Sequence, residues 1–322
     1  MLLIAFVLLV VLLVGCKVYA VLTLGRCTST KKLHGKTVLV TGASRGIGYY
    51  TAVDLARRGA RVIITSEDKE AVTEARNKII KETGNTNIVA KYLDLLSFDI
   101  VRAFAKDILE TENRLDILVN NAGTVGLGRK LTKDGLLPGM QVNHFGPFLL
   151  TNLLLDLLKK SGESRIVNVA SVLSQVPFGF VLDNINDYKY DMLYETFVYA
   201  NSKRCVYYAT VEMANRLRDS GVTVNCLHPG AVNTIIFNIL KINFVLFITN
   251  IIGPLYFKTP EEGAQTSIHL AVSDSLHGVT GKYFSDCEES NWWGPKDKKI
   301  RQKVWDQSVE LVKLSPEETH YD

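Results

Sequence analysis

The chain has 322 residues, 47% of them hydrophobic and 22% charged, with a formal net charge of +4. That length holds one large α/β domain with a short appendage, and the composition excludes disorder over most of the chain. So mild a charge, with no arginine-rich stripe and no aromatic–basic interleaving, gives no reason to expect a nucleic-acid partner.

The five cysteines, Cys16, Cys27, Cys205, Cys226 and Cys287, are scattered, without C-x-x-C spacing. An odd, dispersed set argues against a zinc site and a disulfide framework and suits a reducing compartment, so no metal is expected.

The N-terminus comes first in chain order. Met1 to Cys16 carries no charge, Lys17 interrupts, and Val18 to Gly25 is again largely apolar. A helix over residues 1–25 would be about 37 Å long at ~1.5 Å per residue, enough to cross the hydrocarbon core. Lys17 could snorkel to an interface along its aliphatic stem. A cleaved secretory signal is the competing reading, with Val18-Tyr19-Ala20 as a poor cleavage site and no basic residues ahead of the apolar run. Arg26, Lys31, Lys32 and Lys36 all come after the run. This favours an uncleaved anchor at residues 1–25, a basic linker at 26–35, and a domain at 36–322 held on the cytosolic side of the endoplasmic reticulum. The lipid-droplet surface is an alternative location.

From Lys36 onward, β-branched apolar runs alternate with amphipathic stretches. Thr37–Thr41, Arg61–Thr65, Asn87–Tyr92, Asp116–Asn120, Arg165–Ala170 and Val222–Leu227 predict buried strands. Thr51–Arg58, Lys69–Lys81, Ile100–Glu110 and Phe148–Leu158 predict helices between them. Such alternation builds an α/β fold, a Rossmann-like doubly wound parallel sheet of about seven strands with helices on both faces. Ligands then bind at the carboxyl ends of the strands.

Thr41-Gly42-Ala43-Ser44-Arg45-Gly46-Ile47-Gly48 lies between the first strand and the first helix. Gly42 suits the tight turn, Gly46 the approach of a pyrophosphate, and Gly48 close helix–strand packing. The helix N-terminus would face the phosphates with unpaired N–H groups. Glycines mark ordinary turns too, and it is the position between strand and helix that points to a dinucleotide. Asp94, past the third strand, is placed to meet an adenine edge. Asn120-Asn121-Ala122-Gly123 ends the fourth strand with small residues that would let a cofactor lie close.

Tyr199 and Lys203 stand four residues apart in a helical stretch, so both lie on one face. A free phenol titrates near ~10, too high for ready exchange at neutral pH. A lysine cation, reinforced by an oxidised nicotinamide, would favour the phenolate and let Tyr199 act as general base or acid. With thirteen tyrosines in the chain, about one such spacing arises by chance. Ser171, ending the fifth strand, could hydrogen-bond a reacting oxygen, and Asn143 precedes a long apolar helix. In isolation these are a capping serine and a helix-start asparagine. His144 and His228 read as packing or capping residues.

Together, Thr41–Gly48, Asp94, Asn120–Gly123, Asn143, Ser171, Tyr199/Lys203 and His228-Pro229-Gly230 through Thr234 resemble the short-chain dehydrogenase/reductases over roughly residues 36–290. The resemblance implies a tetrad. Asn143 would hold a proton-relay water, Ser171 orient the substrate, Tyr199 exchange the proton and Lys203 bind the nicotinamide ribose. It implies a cofactor held by Gly42, Ser44, Arg45, Gly46, Ile47, Gly48, Ser66, Glu67, Asp94, Asn120, Ala122, Gly123, Tyr199, Lys203, Pro229, Gly230, Val232 and Thr234.

Within the family the chain looks most like the membrane-bound retinol dehydrogenases. Val142–Gly146, Phe148–Thr151, Lys258–Ser267, Gly281–Cys287 and the N-terminal run carry that likeness. Two departures stand out. Ser66-Glu67 replaces the cysteine–arginine pair usual in that subgroup, and Leu136-Leu137-Pro138 is an unusual approach to Asn143. The expected activity is interconversion of a hydrophobic alcohol and its aldehyde or ketone, on a retinoid, a steroid or another lipid. A non-catalytic cofactor-sensing scaffold and a membrane-tethered lipid-binding protein are the competing classes. A homo-oligomer is compatible with the fold.

Two further expectations concern specificity. Ile235–Phe257 is long and apolar but interrupted by Asn238, Lys241, Asn243, Asn250, Gly253 and Pro254. It reads as part of an apolar substrate lid at about 233–257 rather than as a second span. For the cofactor, Arg45 favours a 2′-phosphate and Glu67 opposes it, each by about 4 kcal/mol at ~4 Å and an effective dielectric of ~20. Arg45 sits in a rigid turn whereas Glu67 can swing to water, and Ser66 lacks the carboxylate that NAD-using members place there. NADP(H) is therefore expected over NAD(H).

Overall fold

Eight strands form one sheet in the order β3-β2-β1-β4-β5-β6-β7-β8. They are β1 Thr37–Val40, β2 Arg61–Ser66, β3 Ile88–Tyr92, β4 Ile117–Asn120, β5 Ser164–Val169, β6 Val222–Leu227, β7 Tyr283–Ser285 and β8 Glu288–Glu289. The first seven pair in parallel, and β8 returns antiparallel to β7. The sheet thus has one strand more than the expected seven. Asp286 (φ 50°) and Cys287 (φ 63°) make the two-residue turn, a backbone state that suits tight hairpins. Two exposed glutamates give no apolar alternation by which such a strand could be read. The computed structural model describes residues 15, 17–18, 23–175, 180–187, 193–232, 257–290 and 297–321.

All four residues of β1 and all four of β4 are buried, as befits strands covered on both faces. The helices are α1 Gly46–Arg57, α2 Lys69–Thr83, α3 Phe98–Thr111, α4 Pro138–Met140, α5 Gly146–Leu153, α6 Leu155–Lys160, α7 Tyr194–Arg216, α8 Pro260–Val272 and α9 Lys298–Leu311. Local chemistry sets their ends. Asp68 accepts from the N–H groups of Glu70 and Ala71, both at 2.9 Å, to start α2, and Gly84 at φ 71° stops it. Thr259 and Glu262 form a reciprocal capping box at α8, which satisfies two otherwise orphaned donors. One apolar cluster lies on each face of the sheet. The strand order reverses between β1 and β4, so the crevice for a ligand opens at their carboxyl ends.

Asn143 lies in a π-helical turn, Gln141–Phe145, between α4 and α5. From the sequence it is expected ahead of a helix. Pro138 explains the difference. It occupies the first turn of a helix that begins there, where a missing N–H costs nothing. Thus the unusual Leu136-Leu137-Pro138 approach is the start of the element that carries Asn143.

Among the described residues no helix is long and apolar enough to cross a membrane. Most of the apolar run 1–25, most of the lid segment 233–257, and Thr234 lie outside the described residues. Residues 25–33 form a strap along α8. Gly25 N–H donates to Asp286 Oδ1 at 3.1 Å and Cys27 N–H to Gln265 Oε1 at 3.1 Å. Ser29 Oγ donates to the Val272 carbonyl at 3.4 Å, and Lys31 pairs with Asp274 at 2.7 Å. Leu33, buried, then leads into β1.

Candidate active site

The glycines of the first turn serve three separate purposes. Gly42 has φ 62°, and a Cβ there would lie 2.8 Å from Ala122 Cα. A Cβ on Gly48 would lie 2.4 Å from Asn121 Nδ2 and 2.5 Å from the Gly42 carbonyl oxygen. Gly46 has φ 64°, and its Cβ direction meets no atom within 4 Å. Open space over a helix start whose N-cap, Arg45, makes no side-chain cap is what a pyrophosphate needs. The turn is locked to the end of β4. Asn121 Nδ2 donates to the Thr41 and Gly42 carbonyls at 2.9 and 3.0 Å. Thr41 Oγ1 accepts from the N–H groups of Asn121 and Ala122 at 3.0 and 3.1 Å.

At the end of β2, Ser44 Oγ donates to Ser66 Oγ at 3.2 Å, and Ser66 Oγ donates in turn to Glu67 Oε2 at 3.4 Å. Arg45 and Glu67 are both exposed. Asp94 comes after β3, with Oδ1 accepting from Leu96 N–H at 2.8 Å. Asn120 Nδ2 donates to Thr151 Oγ1 and Asn168 Oδ1, each at 2.9 Å, and so holds β4 to β5 below the site. Beyond β6, Gly230 takes φ 83° over the Lys258 side chain, and Val232 pairs with Lys258 in an isolated bridge. Val232 also packs on α8 where a Cβ on Gly263 would lie 2.7 Å from it and 3.3 Å from Ile47.

Tyr199, Lys203, Asn143 and Ser171 converge at the carboxyl ends of β4 and β5. Asn143 Oδ1 accepts from Thr124 N–H at 2.8 Å, while Nδ2 donates to the Thr124 carbonyl at 2.9 Å and to Ser202 Oγ at 3.0 Å. Ser202 Oγ donates to the Tyr199 carbonyl at 2.7 Å, which ties the Asn143 turn to α7. Lys203 Nζ donates to the Val169 carbonyl at 2.8 Å and lies 5.8 Å from the centre of the Tyr199 ring. A Cβ on Gly123 would come within 3.0 Å of that Nζ and 3.3 Å of Asn143 Oδ1. An ammonium has three N–H groups, so Lys203 keeps two for a polar group in the crevice. This donor set fits a ribose.

Electrostatics differ in one respect from expectation. Burial pushes the Tyr199 phenol up, and a hydrogen bond with Ser171 is what opposes it. The Lys203 ammonium, 5.8 Å from the centre of the phenol ring, is directed at the Val169 carbonyl. Burial also lowers Lys203, to about 8. His144 is pushed down to about 3, by burial first and by the Lys203 charge second. It is therefore a neutral packing residue. Its Nε2 lies 2.8 Å from Ser308 Oγ of α9, and its ring stacks against Phe145 and Phe148. The expected packing role matches this placement.

Sequence reasoning missed three residues of the site. Asn121 fastens the glycine turn, Ser202 bonds Asn143, and Glu195 accepts from the N–H groups of Gly126 (3.0 Å) and Gly128 (2.8 Å) in the loop after β4. Asn121 and Ser202 stand inside the Asn120–Gly123 and Tyr199–Lys203 motifs, and a count of unsatisfied donors there could have found them. For Glu195, four residues before Tyr199, no sequence signal exists.

A family model described as short chain dehydrogenase matches residues 36–182. Retinol dehydrogenase 13 of Homo sapiens is 41% identical over 299 residues, covering 90% of this chain and 88% of the relative. Retinol dehydrogenase 14 of Homo sapiens is 42% identical over 299 residues, covering 88% of each. Among solved structures, the RhlG/NADP active-site complex of Pseudomonas aeruginosa superposes with a TM-score of 0.63 at 28% identity, covering 79% of this chain and 95% of that one. The chain belongs to the short-chain dehydrogenase/reductase family, in its retinol dehydrogenase-like subgroup, and is an NAD(P)-dependent enzyme acting on CH–OH groups.

Proposed function

We propose that the chain interconverts a lipophilic alcohol and its aldehyde or ketone, a retinoid, a steroid or another lipid, with Tyr199 moving the proton. The observation that carries this reading is the cluster of Tyr199, Lys203, Asn143 and Ser171 at the carboxyl ends of β4 and β5, with Lys203 and Asn143 closing on Gly123. A nicotinamide cofactor, held by Lys203 through its ribose, would supply or take up the hydride and, when oxidised, a positive charge that favours the phenolate. Tyr199 takes the hydroxyl proton during oxidation and returns it during reduction. Ser171 orients the substrate oxygen. Lys203 spends its two remaining N–H groups on the ribose. Asn143 has both Nδ2 protons committed, so a relay water beside it binds the second lone pair of Oδ1. A panel of retinoid, steroid, polyprenyl and fatty aldehydes tests the activity, and no turnover of any would leave a non-catalytic scaffold.

The substrate class rests on the relatives' names and on the apolar composition of 233–257. Each buried CH₂ contributes ~0.8 kcal/mol, so kcat/KM is expected to rise about fourfold per methylene until the pocket is filled. Equal efficiency for short, water-soluble carbonyls would remove the lid from the account.

NADP(H) is proposed over NAD(H), because Arg45 in the glycine turn faces solvent and can meet a 2′-phosphate. Glu67, held by Ser66 at a long 3.4 Å, can turn away. Comparing kcat/KM for both cofactors decides it, and about a tenfold preference for NAD(H), a 1.4 kcal/mol difference, would assign control to Glu67. Glu67→Arg would then reverse the preference.

Residues 1–25 are proposed as an anchor in the endoplasmic reticulum, with 36–322 as one cytosolic domain. Protease added to intact microsomes is expected to digest the body. Full protection without detergent would reverse the orientation.

A further inference from the structure

The strap of residues 25–33 shows where the apolar N-terminal run meets the body. Asp286 lies just past β7 at its carboxyl end, and Gly25 is bonded to it. From there the chain descends along α8 to Val272 and Asp274 and enters β1 from the opposite edge. The run therefore leaves the body at the same edge of the sheet as the Tyr199 crevice.

That edge is also where apolar side chains stand in water. Beyond the N-terminal run, the exposed large hydrophobics among the described residues are Leu109 on α3 and four others. Leu127 (38% exposed) and Leu131 (53%) come after β4, Val172 (43%) after β5, and Leu193 (47%) precedes α7. Exposed hydrophobic side chains scattered singly need no explanation, but three leucines and a valine on one edge do. Leu127 and Leu131 flank Arg129 and Lys130, both exposed. The loop is tied to the start of α7 by Glu195 at Gly126 and Gly128 and by the Arg129 guanidinium 4.5 Å over the Tyr194 ring. Leucines beside the exposed Lys130, on one loop, match the acyl chains and anionic headgroups of a bilayer surface.

We propose that the loop Gly126–Leu131 seats the carboxyl edge of the sheet on an anionic membrane surface, so that the Tyr199 crevice opens toward the lipid from which its substrate comes. This rests on the anchor reading for residues 1–25. Leu127 and Leu131 enter the headgroup boundary, and Lys130 meets phosphate and carboxylate groups there. Substrate then diffuses from the leaflet to Tyr199 without crossing water.

The test uses the full chain in phosphatidylcholine–phosphatidylserine vesicles, with Leu131→Trp and, as a control on another face, Leu109→Trp. Relative to the parent spectrum, Trp at 131 is expected to shift to the blue on vesicle binding and to be quenched by brominated lipid. Trp at 109 should stay water-like. Quenching at 131 should fall at least about twofold when phosphatidylserine is left out. In the second arm, Lys130→Glu with Leu131→Asp is expected to raise KM for a bilayer-partitioned, retinoid-sized aldehyde about tenfold and leave KM for a short soluble aldehyde unchanged. Protein that floats with vesicles while Trp at 131 stays water-like overturns the docking and leaves the anchor standing. Failure to float overturns both. A Trp at 131 already shielded before vesicles are added means that another part of this chain, or a second copy, covers the loop, and also overturns the docking.

Discussion

Tyr199→Phe is expected to lower kcat by about 10²–10⁴-fold, the usual contribution of a positioned acid–base group, while cofactor affinity stays within about twofold. The ring, its packing and the Lys203 contact to the Val169 carbonyl are all retained, so only the exchangeable proton is lost. Stopped-flow turnover beside cofactor titration separates the two effects. Residual activity above about a tenth of wild type would remove Tyr199 from the mechanism. The pH dependence carries its own sign. Burial raises the phenol above its ordinary value, so the free enzyme holds little phenolate at neutral pH. Oxidation, which needs the phenolate, should accelerate as pH rises, whereas reduction, which needs the phenol, should be flat over the same range. Tyr199→Phe should erase that difference.

Lys203→Met is expected to lose activity and gain stability together. Burial lowers the ammonium from 10.5 to about 8, which at ~1.4 kcal/mol per unit makes the buried charge cost about 3 kcal/mol at neutral pH. Methionine fills similar space without charge. It leaves the Val169 carbonyl without its donor, a loss of about 1 kcal/mol. The net gain for the cofactor-free protein is then about 2 kcal/mol, read from the urea midpoint. Between pH ~8 and ~10.5 the unfolded chain keeps a proton the folded chain has released, so wild-type stability climbs with pH across that window. The methionine variant should lack that climb. The same titration should weaken cofactor binding in the wild type above pH ~8, where Lys203 loses its charge. A variant no more stable than wild type at neutral pH would mean that water reaches Lys203.

The middle of the sheet was legible in the sequence because β1 and β4 are buried throughout and their neighbours nearly so, and such strands read as apolar runs, whereas the three-residue β7 is too short to show one. The eighth strand, two exposed glutamates after a tight turn, carries no such run. The placement of Tyr199 and Lys203 on one helix, and of the glycine turn between β1 and α1, was legible because such spacing survives translation into a helix and a loop. The direction of the Lys203 ammonium was not, since it depends on the Val169 carbonyl, 34 residues away in sequence. The same holds for Glu195, whose partners are backbone N–H groups of a loop 67 and 69 residues earlier. Backbone donors have no signature in residue type. His144 shows the converse, for its neighbour Asn143 invites a catalytic reading that full burial against Ser308 removes.

The π-turn at Gln141–Phe145 makes length a constraint of its own. It accommodates one residue more than an ordinary helical turn, and the hydrogen bonds on either side are set by that surplus. Deleting one residue there would remove the surplus and let the stretch close as an ordinary turn at ~3.6 residues, with the helices on either side keeping nearly the same register. The loss would fall on the turn itself, and Asn143 would leave the position from which it bonds Ser202 and the Thr124 backbone. A single-codon gap would therefore misalign Asn143 while leaving the flanking helices almost in place.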